Sequence, residues 1–346
     1  NNLPGSPNAT IGGVIGSNVH GKDSFKNGVF GNNIISLKIL NKLGKIEFLN
    51  KKNPKFKLFI GTHGVSGVIL EAKLSLTKIK SNSLEVITKK FSKYRDVIEL
   101  FKEYKKKNYI YMGCWIDHFS QNGRGVFKAA KWEKSNTTKF NKIRFNKNFL
   151  IKSFYFVLYL FLKLIVFNKF GIKIFNNMIF YTSSNKKEKN IQFKNFYYPQ
   201  ENILPDEAKL YKNGKVNIQI LIPKKNFFYN LNRINDLCDE YSFSSWWLGM
   251  KEHKKENYIN NFAIDGYDIT LQWSKKYIEK KKFKQFYRKL INIVIDSNST
   301  IYLAQDILLS KSNYAKIFSN KKFNKFIKKN FINGIYNNDL YSRILN

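Results

Sequence analysis

The sequence is poor in the residues that usually build metal centres and nucleophile systems. It has two cysteines and four histidines in 346 residues. Cys114 and Cys238 lie far apart, so neither a disulfide framework nor a paired-cysteine metal site can be written. Two reduced, structural thiols are expected. His20, His63, His118 and His253 have no metal-binding spacing, and no metal is expected. No Ser/His/Asp or Cys/His arrangement is visible, nor is a Walker loop or a GxGxxG following a strand. No internal repeat stands out. Acidic residues are scarce, 24 against 61 Lys and Arg, which leaves a net charge of +37. Long apolar runs are missing too. In "NFLIKSFYFVLYLFLKLIVFNKF", residues 148–170, Lys152 and Lys163 interrupt the pattern, and the longest charge-free run covers ten residues. A spanning helix needs about 20. The stretch reads either as a core helix or as an amphipathic segment lying on a membrane, with flanking lysines at the headgroups. The chain begins at Asn1 without a charged-then-apolar leader, so no targeting peptide is read.

What is present fits a folded protein. Hydrophobic residues make up 43% and aromatics 16%, a composition that can bury a core and that disordered chains lack. The length suits one large domain or two ordinary ones. The charge admits two readings. It can attract nucleic acid, anionic lipid or phosphorylated substrates, or it can be a solvated coat. Lysine dominates, arginine is sparse, and the lysines run through every segment. That distribution does not build a groove that reads nucleic acid, so no specific nucleic-acid partner is expected. An anionic membrane surface stays open.

Eleven of the 19 glycines fall in the first 67 residues. Such density means tight turns, or backbone brought close to a bound group. In "PNATIGGVIGSNVHGKD", Ile11, Val14, Ile15 and Val19 follow helical spacing and Thr10 is placed as an N-cap. Gly12 and Gly13 then sit in the first turn, where amides are free to meet an anion. A tightly packed turn explains the same residues. Gly61, Gly64 and Gly67 form a second site of close backbone approach. His20 follows the first helix and could act on a substrate or polarise a cofactor; His63 reads as turn packing, and His118 and His253 have no partners in sequence.

Beyond this region, 33–40 and 45–50 read as strands joined by a turn at 41–44, and a strand follows the second glycine turn. The character changes after about Ile79. Strands are expected near 84–88, 109–115, 125–131, 215–223, 243–250, 267–273 and 300–304, with helices near 94–106, 225–240 and 276–295. This is an α+β pattern with a largely antiparallel sheet.

The stretch "LPGSPNATIGGVIGSNVHGKDSFKNGVFGNNIISLKIL" resembles FAD-binding flavoproteins of the vanillyl-alcohol oxidase type, the PCMH-type fold. The subgroup it most resembles is that of decaprenylphosphoryl-β-D-ribose 2′-oxidase and its bacterial relatives. "GTHGVSGVILEAKL", "GCWIDHF" followed by "GRG", "FYYP", "NIQILIP", "GYDITLQW" and "YLAQD" agree in order, so the resemblance runs along essentially the whole chain. It implies three parts: 1–80 as the C-terminal half of the FAD-binding domain, 81–299 as the substrate-binding domain, and 300–346 as a C-terminal return. It also implies that the glycine-rich loop wrapping the FAD pyrophosphate, the N-terminal part of that domain, is missing here, so the chain reads as a fragment.

Carried over by motif, Gly5, Thr10, Ile11, Gly12 and Gly13 resemble flavin-contacting backbone. Ser17, Asn18, Val19 and His20 resemble the wall beside the flavin ring, with His20 on the substrate side. Val68 and Tyr302 resemble further flavin contacts, and Trp115, Tyr197, Asn217, Gln219 and Lys251 resemble the substrate pocket. Two positions depart from the pattern. Gln305 stands where the family has a lysine, and Thr270 stands at a position that is cysteine in some relatives. His20, Lys251 and Gln305 are the residues expected to carry catalysis. Either Lys251 supplies the charge that Gln305 lacks, or the substrate differs, or catalysis is impaired.

The implied activity is FAD-dependent oxidation of a secondary sugar hydroxyl. The implied substrate is ribose on a polyprenyl phosphate, a 2′-oxidation that forms the first half of an epimerisation in cell-envelope biosynthesis. An NAD(P)H-dependent short-chain reductase is the implied pathway partner, with peripheral contact to an anionic membrane at its inner, cytoplasmic face. An aldonolactone or alditol oxidase of the same superfamily, and a flavin-free, non-catalytic remnant, are the alternatives.

Overall fold

Alternation of apolar and polar residues lays out two antiparallel sheets. The computed structural model describes residues 2–134 except 42, 80 and 121, then 169–199, 211, 214–243, 245, 248–318, 325 and 338–344. Helix α1 (Ile11–Gly16) starts at Thr10, whose hydroxyl accepts from the Gly13 amide at 3.1 Å, and α2 (Ser24–Asn27) follows. The first sheet contains β1 (Ile34–Leu40), β2 (Ile46–Asn50) and β3 (Val68–Leu74) in the order β2-β1-β3. Val14, Ile15 and Val19 pack with Phe30, Ile34, Leu37 and Ile39 to give this sheet its own core.

The second sheet has eight strands. They are β4 (Ser83–Phe91), β5 (Tyr111–Ile116), β6 (Gly125–Trp132), β7 (Lys186–Gln192), β8 (Lys215–Pro223), β9 (Leu248–His253), β10 (Gly266–Ser274) and β11 (Thr300–Ile301). Their order is β11-β8-β10-β9-β5-β6-β4-β7, and every pairing is antiparallel. The fold is α+β with a large antiparallel sheet. The remaining helices are α3 (Tyr94–Lys106), α4 (Lys169–Thr182), α5 (Phe193–Tyr197), α6 (Phe227–Tyr241), α7 (Lys281–Asp296), α8 (Lys311–Ile317) and α9 (Asp339–Ile344).

Because side chains alternate across a strand, the large sheet has two different faces. Ile218, Ile220 and Ile222 of β8 and Ile269, Leu271 and Trp273 of β10 point into one core. Phe101 of α3, Leu231 and Ile234 of α6, and Phe286, Leu290 and Val294 of α7 cover that core. The intervening residues Asn217, Gln219, Asp268, Thr270, Lys251 and His253 belong to the opposite face. That face is covered at one end by Phe196, Tyr197 and Tyr198 packed on Leu84, Val86 and Tyr111, and at the other by Phe262 and Tyr302 packed on Leu221.

Most of the 148–170 stretch lies outside the described residues, so neither reading of it can be compared with the fold. No described helix is long and apolar enough to cross a membrane. Cys114 and Cys238 are buried and unpaired with each other, as expected.

Candidate functional site

The segment after α1 is tied onto the second face of the large sheet. The Met112 amide of β5 donates to the Lys22 carbonyl at 2.8 Å. The Tyr197 hydroxyl accepts from the Lys22 amide at 3.3 Å and donates to the Leu3 carbonyl at 2.8 Å. Gly21 makes this approach possible, since a Cβ there would stand 2.3 Å from the Tyr197 hydroxyl and 2.7 Å from an Asp23 carboxylate oxygen. The result is that His20, at the end of this segment, is carried over strands β8, β9 and β10.

There it enters a buried hydrogen-bonded cluster. His20 Nε2 lies 3.2 Å from Gln219 Oε1, and Lys251 Nζ lies 3.3 Å from His20 Nδ1. Lys251 Nζ is also 3.4 Å from Asp268 Oδ2. Asp268, opposite Lys251 across the β9–β10 pair, is the hub. Its Oδ1 accepts from the Lys251 backbone amide at 2.6 Å. Its Oδ2 accepts from His253 Nε2 at 3.0 Å and from the Gln219 side-chain amide. Rings close the cluster over: His20 stacks on Phe262 at 5.0 Å and meets the edges of Tyr302 and His253 at 4.8 Å.

The charges follow from this enclosure. Burial, then the neighbouring Lys251 and His253, push the His20 imidazole well below its ordinary value. Burial alone would favour the neutral Asp268 acid, but Lys251, His253 and His20 together hold its carboxyl below the usual carboxylate range. Lys22 is half-buried. Its ammonium donates to the Tyr197 carbonyl at 2.6 Å and lies 4.5 Å from the centre of that ring. Burial first, then the charges of Lys251 and Lys128, pull this amine down to about 7, with Asp23 opposing.

The polar atoms of His20, His253 and Asp268 lie within 4.8 Å of one another, close enough to consider a metal. The Lys251 ammonium already stands against two of the three. A divalent ion added there would meet that cation in a buried site, where like charges repel strongly. The group is better described as a hydrogen-bonded charge cluster.

The structure brings together His20, Lys251, Gln219 and Tyr302, which the sequence nominated from four distant segments. The Tyr302 side chain also hydrogen-bonds Ser17. Tyr197 joins the same face through Lys22. Trp115 and Asn217 lie on that face, and the Trp115 Nε1 and Asn217 Oδ1 atoms are buried with no hydrogen-bond partner among the described residues. Gln305 follows Tyr302, to whose carbonyl its amide donates at 3.1 Å, and its Oε1 is buried and unpartnered among the described residues. Gly5, Thr10, Ile11, Gly12 and Gly13 are exposed, and a Cβ at Gly5 or Gly12 would meet nothing within 4 Å. The Gly13 amide is taken by the Thr10 cap. Asn18 has φ +44° and its side chain accepts from the Gly31 amide at 2.9 Å, while Val19 sits in the small-sheet core. Val68 is exposed at the start of β3. Thr270 lies beside Gln219 across the β8–β10 pair.

Three members of the site were missed. His253, without a partner in sequence, finds Asp268 on the next strand. Asp268 itself has one signal, a single acid in the otherwise uncharged "GYDITLQW". Lys22 follows Gly21 directly, but nothing distinguishes it from the other lysines until burial is known.

No family model matches the chain. Among curated proteins, the chain is similar to decaprenylphosphoryl-beta-D-ribose oxidase of Mycolicibacterium smegmatis, with 30% identity over 122 residues, 34% of this chain and 26% of that protein. It is also similar to a Streptomyces coelicolor protein named "Uncharacterized protein in mprA 5'region", 28% identical over 81 residues, 23% of this chain and 22% of that protein. The matched stretches thus span about a quarter of each relative's length. The first match supports kinship with an oxidoreductase family and nothing finer.

Proposed function

We propose that this chain carries the substrate side of an FAD-dependent oxidoreductase acting on a secondary hydroxyl of a sugar. The observation that carries the reading is the Lys251 ammonium. Two of its three N–H groups are committed, to His20 and Asp268, and no third partner exists among the described residues. It is therefore free to donate to a hydroxyl oxygen. The similarity to a named oxidase supports the same class.

The residues fit a bound flavin together with its substrate in one respect. Trp115 Nε1, Asn217 Oδ1 and Gln305 Oε1 are buried polar atoms without partners among the described residues. Such atoms are costly unless something polar pairs with them. In this reading residues 1–80 and Tyr302 would hold the flavin, with Gly5, Thr10–Gly13, Ser17–His20 and Val68 against it. Residues 81–299 would present Trp115 and Asn217 to the sugar, with Tyr197 and Gln219 holding Lys22 and His20 in place beside it, and 300–346 would return to the flavin side. When bound, a flavin supplies the hydride acceptor.

The chain's own residues manage the proton. Oxidation of the carbinol removes a hydride from carbon and a proton from oxygen. Lys251 orients the hydroxyl by donating to its oxygen. Lys22, with an amine pulled to about 7, is a group on this face able to take the proton at neutral pH. Ribose on a polyprenyl phosphate is the substrate of this reading, with a short-chain NAD(P)H reductase completing the epimerisation. A surface with net charge +37 suits peripheral contact with an anionic membrane that holds such a lipid.

The test is reconstitution of the purified chain with FAD, followed by turnover of lipid-linked and free sugars with and without anionic vesicles. Bound flavin absorbance and turnover of the lipid-linked sugar are expected. A protein that retains no flavin from excess FAD overturns the reading. Preference for free sugars overturns the substrate, and vesicle binding unchanged at molar salt overturns the electrostatic contact.

A further inference from the structure

We propose that Asp268 is a positioning residue that decides, through Gln219, which nitrogen of His20 carries the proton, and so leaves Lys251 as the outward donor of the cluster. The argument is one of donors and acceptors. A carboxylate can only accept. The Gln219 group facing Asp268 is therefore its NH2, as the contact between Nε2 and Oδ2 shows. The other end of the amide, Oε1, then faces His20 Nε2 at 3.2 Å. A carbonyl oxygen also only accepts, so His20 Nε2 carries the hydrogen. His20 Nδ1 is left with its lone pair, which takes a hydrogen from Lys251 Nζ at 3.3 Å. Neither the other tautomer nor the imidazolium fits. Each would set an Nδ1–H against the N–H groups of an ammonium, with no acceptor between them.

Asp268 is able to dictate this because it cannot turn. It is fully buried, and its two oxygens are held from three directions: the Lys251 backbone amide at 2.6 Å, His253 Nε2 at 3.0 Å and Gln219 Nε2. His20 thus has both nitrogens occupied and serves as a scaffold for Lys251. This differs from the sequence expectation that His20 acts on a substrate or polarises a cofactor. The tautomer rests on hydrogen-bond geometry alone; only the outward role of Lys251 rests on the proposed function.

The test is a long-range proton–nitrogen correlation spectrum of the flavin-free full chain, labelled with nitrogen-15 in histidine, near neutral pH. His20→Gln assigns the signals. The wild type is expected to show His20 as a single form, with a protonated Nε2 and a bare Nδ1. In Asp268→Asn the amide at 268 can donate as well as accept, so Gln219 loses its fixed direction. His20 is then expected to become a mixture of tautomers while the remote His63 and His118 signals stay in place. If that variant does not fold, Gln219→Leu carries the same decision, because it also frees Nε2. A wild-type His20 protonated on Nδ1, or a variant that folds and keeps the single Nε2–H form, overturns the proposal. Because no flavin is present, a failure to bind FAD leaves this outcome unaffected.

Discussion

The half-buried amine of Lys22 yields the sharpest quantitative expectation. An ordinary lysine titrates near 10.4, so about 0.04% of its amines are neutral at pH 7. At a value of about 7, roughly half of the Lys22 amines are neutral there. That raises the reactive fraction roughly a thousandfold. The less basic amine is also a weaker nucleophile, by about 30-fold if amines share the slope of about 0.4–0.5 found for thiols. Partial burial lowers the advantage further. The assay is brief acylation at a series of pH values, read peptide by peptide by mass spectrometry. Lys22 labelling should rise through neutrality and level off above about pH 8, while exposed lysines keep rising towards their own range. The shape of that profile does not depend on access. Replacing Lys251 by Met removes the neighbouring charge that lowers Lys22, so the Lys22 midpoint should move up. A Lys22 profile that tracks the exposed lysines, or a midpoint indifferent to Lys251→Met, would refute the account of this amine as a proton acceptor.

Two other expectations follow from the same region. Gly21→Ala places a Cβ 2.3 Å from the Tyr197 hydroxyl and 3.0 Å from the Leu3 carbonyl. Overpacking of this kind costs about 1–3 kcal/mol, so the urea midpoint should fall, and an unchanged midpoint would mean that the tie between Lys22 and Tyr197 carries little. His63 is held neutral by burial and then by Arg343, down to about 4, against about 6.5 for a free imidazole. Its folded value is depressed, so the unfolded chain binds more protons as pH falls below about 6.5, and stability is lost on acidification. Between about pH 7 and pH 5 the loss is about 2 kcal/mol. His63→Asn keeps a residue that tolerates φ +52° and removes the titration. Urea unfolding at both pH values should show the wild type losing about 2 kcal/mol more than the variant, and parallel losses would contradict this.

What the sequence made legible followed from periodicity. Helix α3 spans Tyr94–Lys106 as expected, because Val97, Phe101 and Tyr104 form one buried stripe. Strands β8 and β10 were visible because isoleucines or bulky apolar residues alternate with polar ones along both. Strand β7 was not visible. "KKEKNIQ" opens with four charged residues and buries none of its seven, as suits an edge strand that pairs with β4 alone among the described strands. Strand β9 begins at Leu248 rather than near Phe243. Phe243 packs instead on Tyr277, Phe283 and Phe286 of the helical layer. The site was legible in part. His20, Lys251, Gln219 and Tyr302 came from motif resemblance, but His253 and Asp268 depend on the β9–β10 register, which the fourteen residues of chain between them do not reveal.

The register also bears on Gln305, where the resemblance implies a lysine. Gln305 follows the turn whose Tyr302 packs on His20. The charge of Lys251 already lowers Lys22, and the buried carboxylate facing Lys251 is Asp268. An ammonium at 305 would join Lys22, Lys128 and Lys251 and add repulsion without adding a counter-ion. It would also push Lys22 further from the charged form. With a neutral side chain at 305, Asp268 balances one lysine, and the other is left to titrate near neutrality. In the proposed reading, the hydrogen-bond donor to the hydroxyl and the acceptor of its proton thus fall on two different lysines. In the proposed reading, an uncharged Gln305 is the condition under which Lys251 can supply the charge.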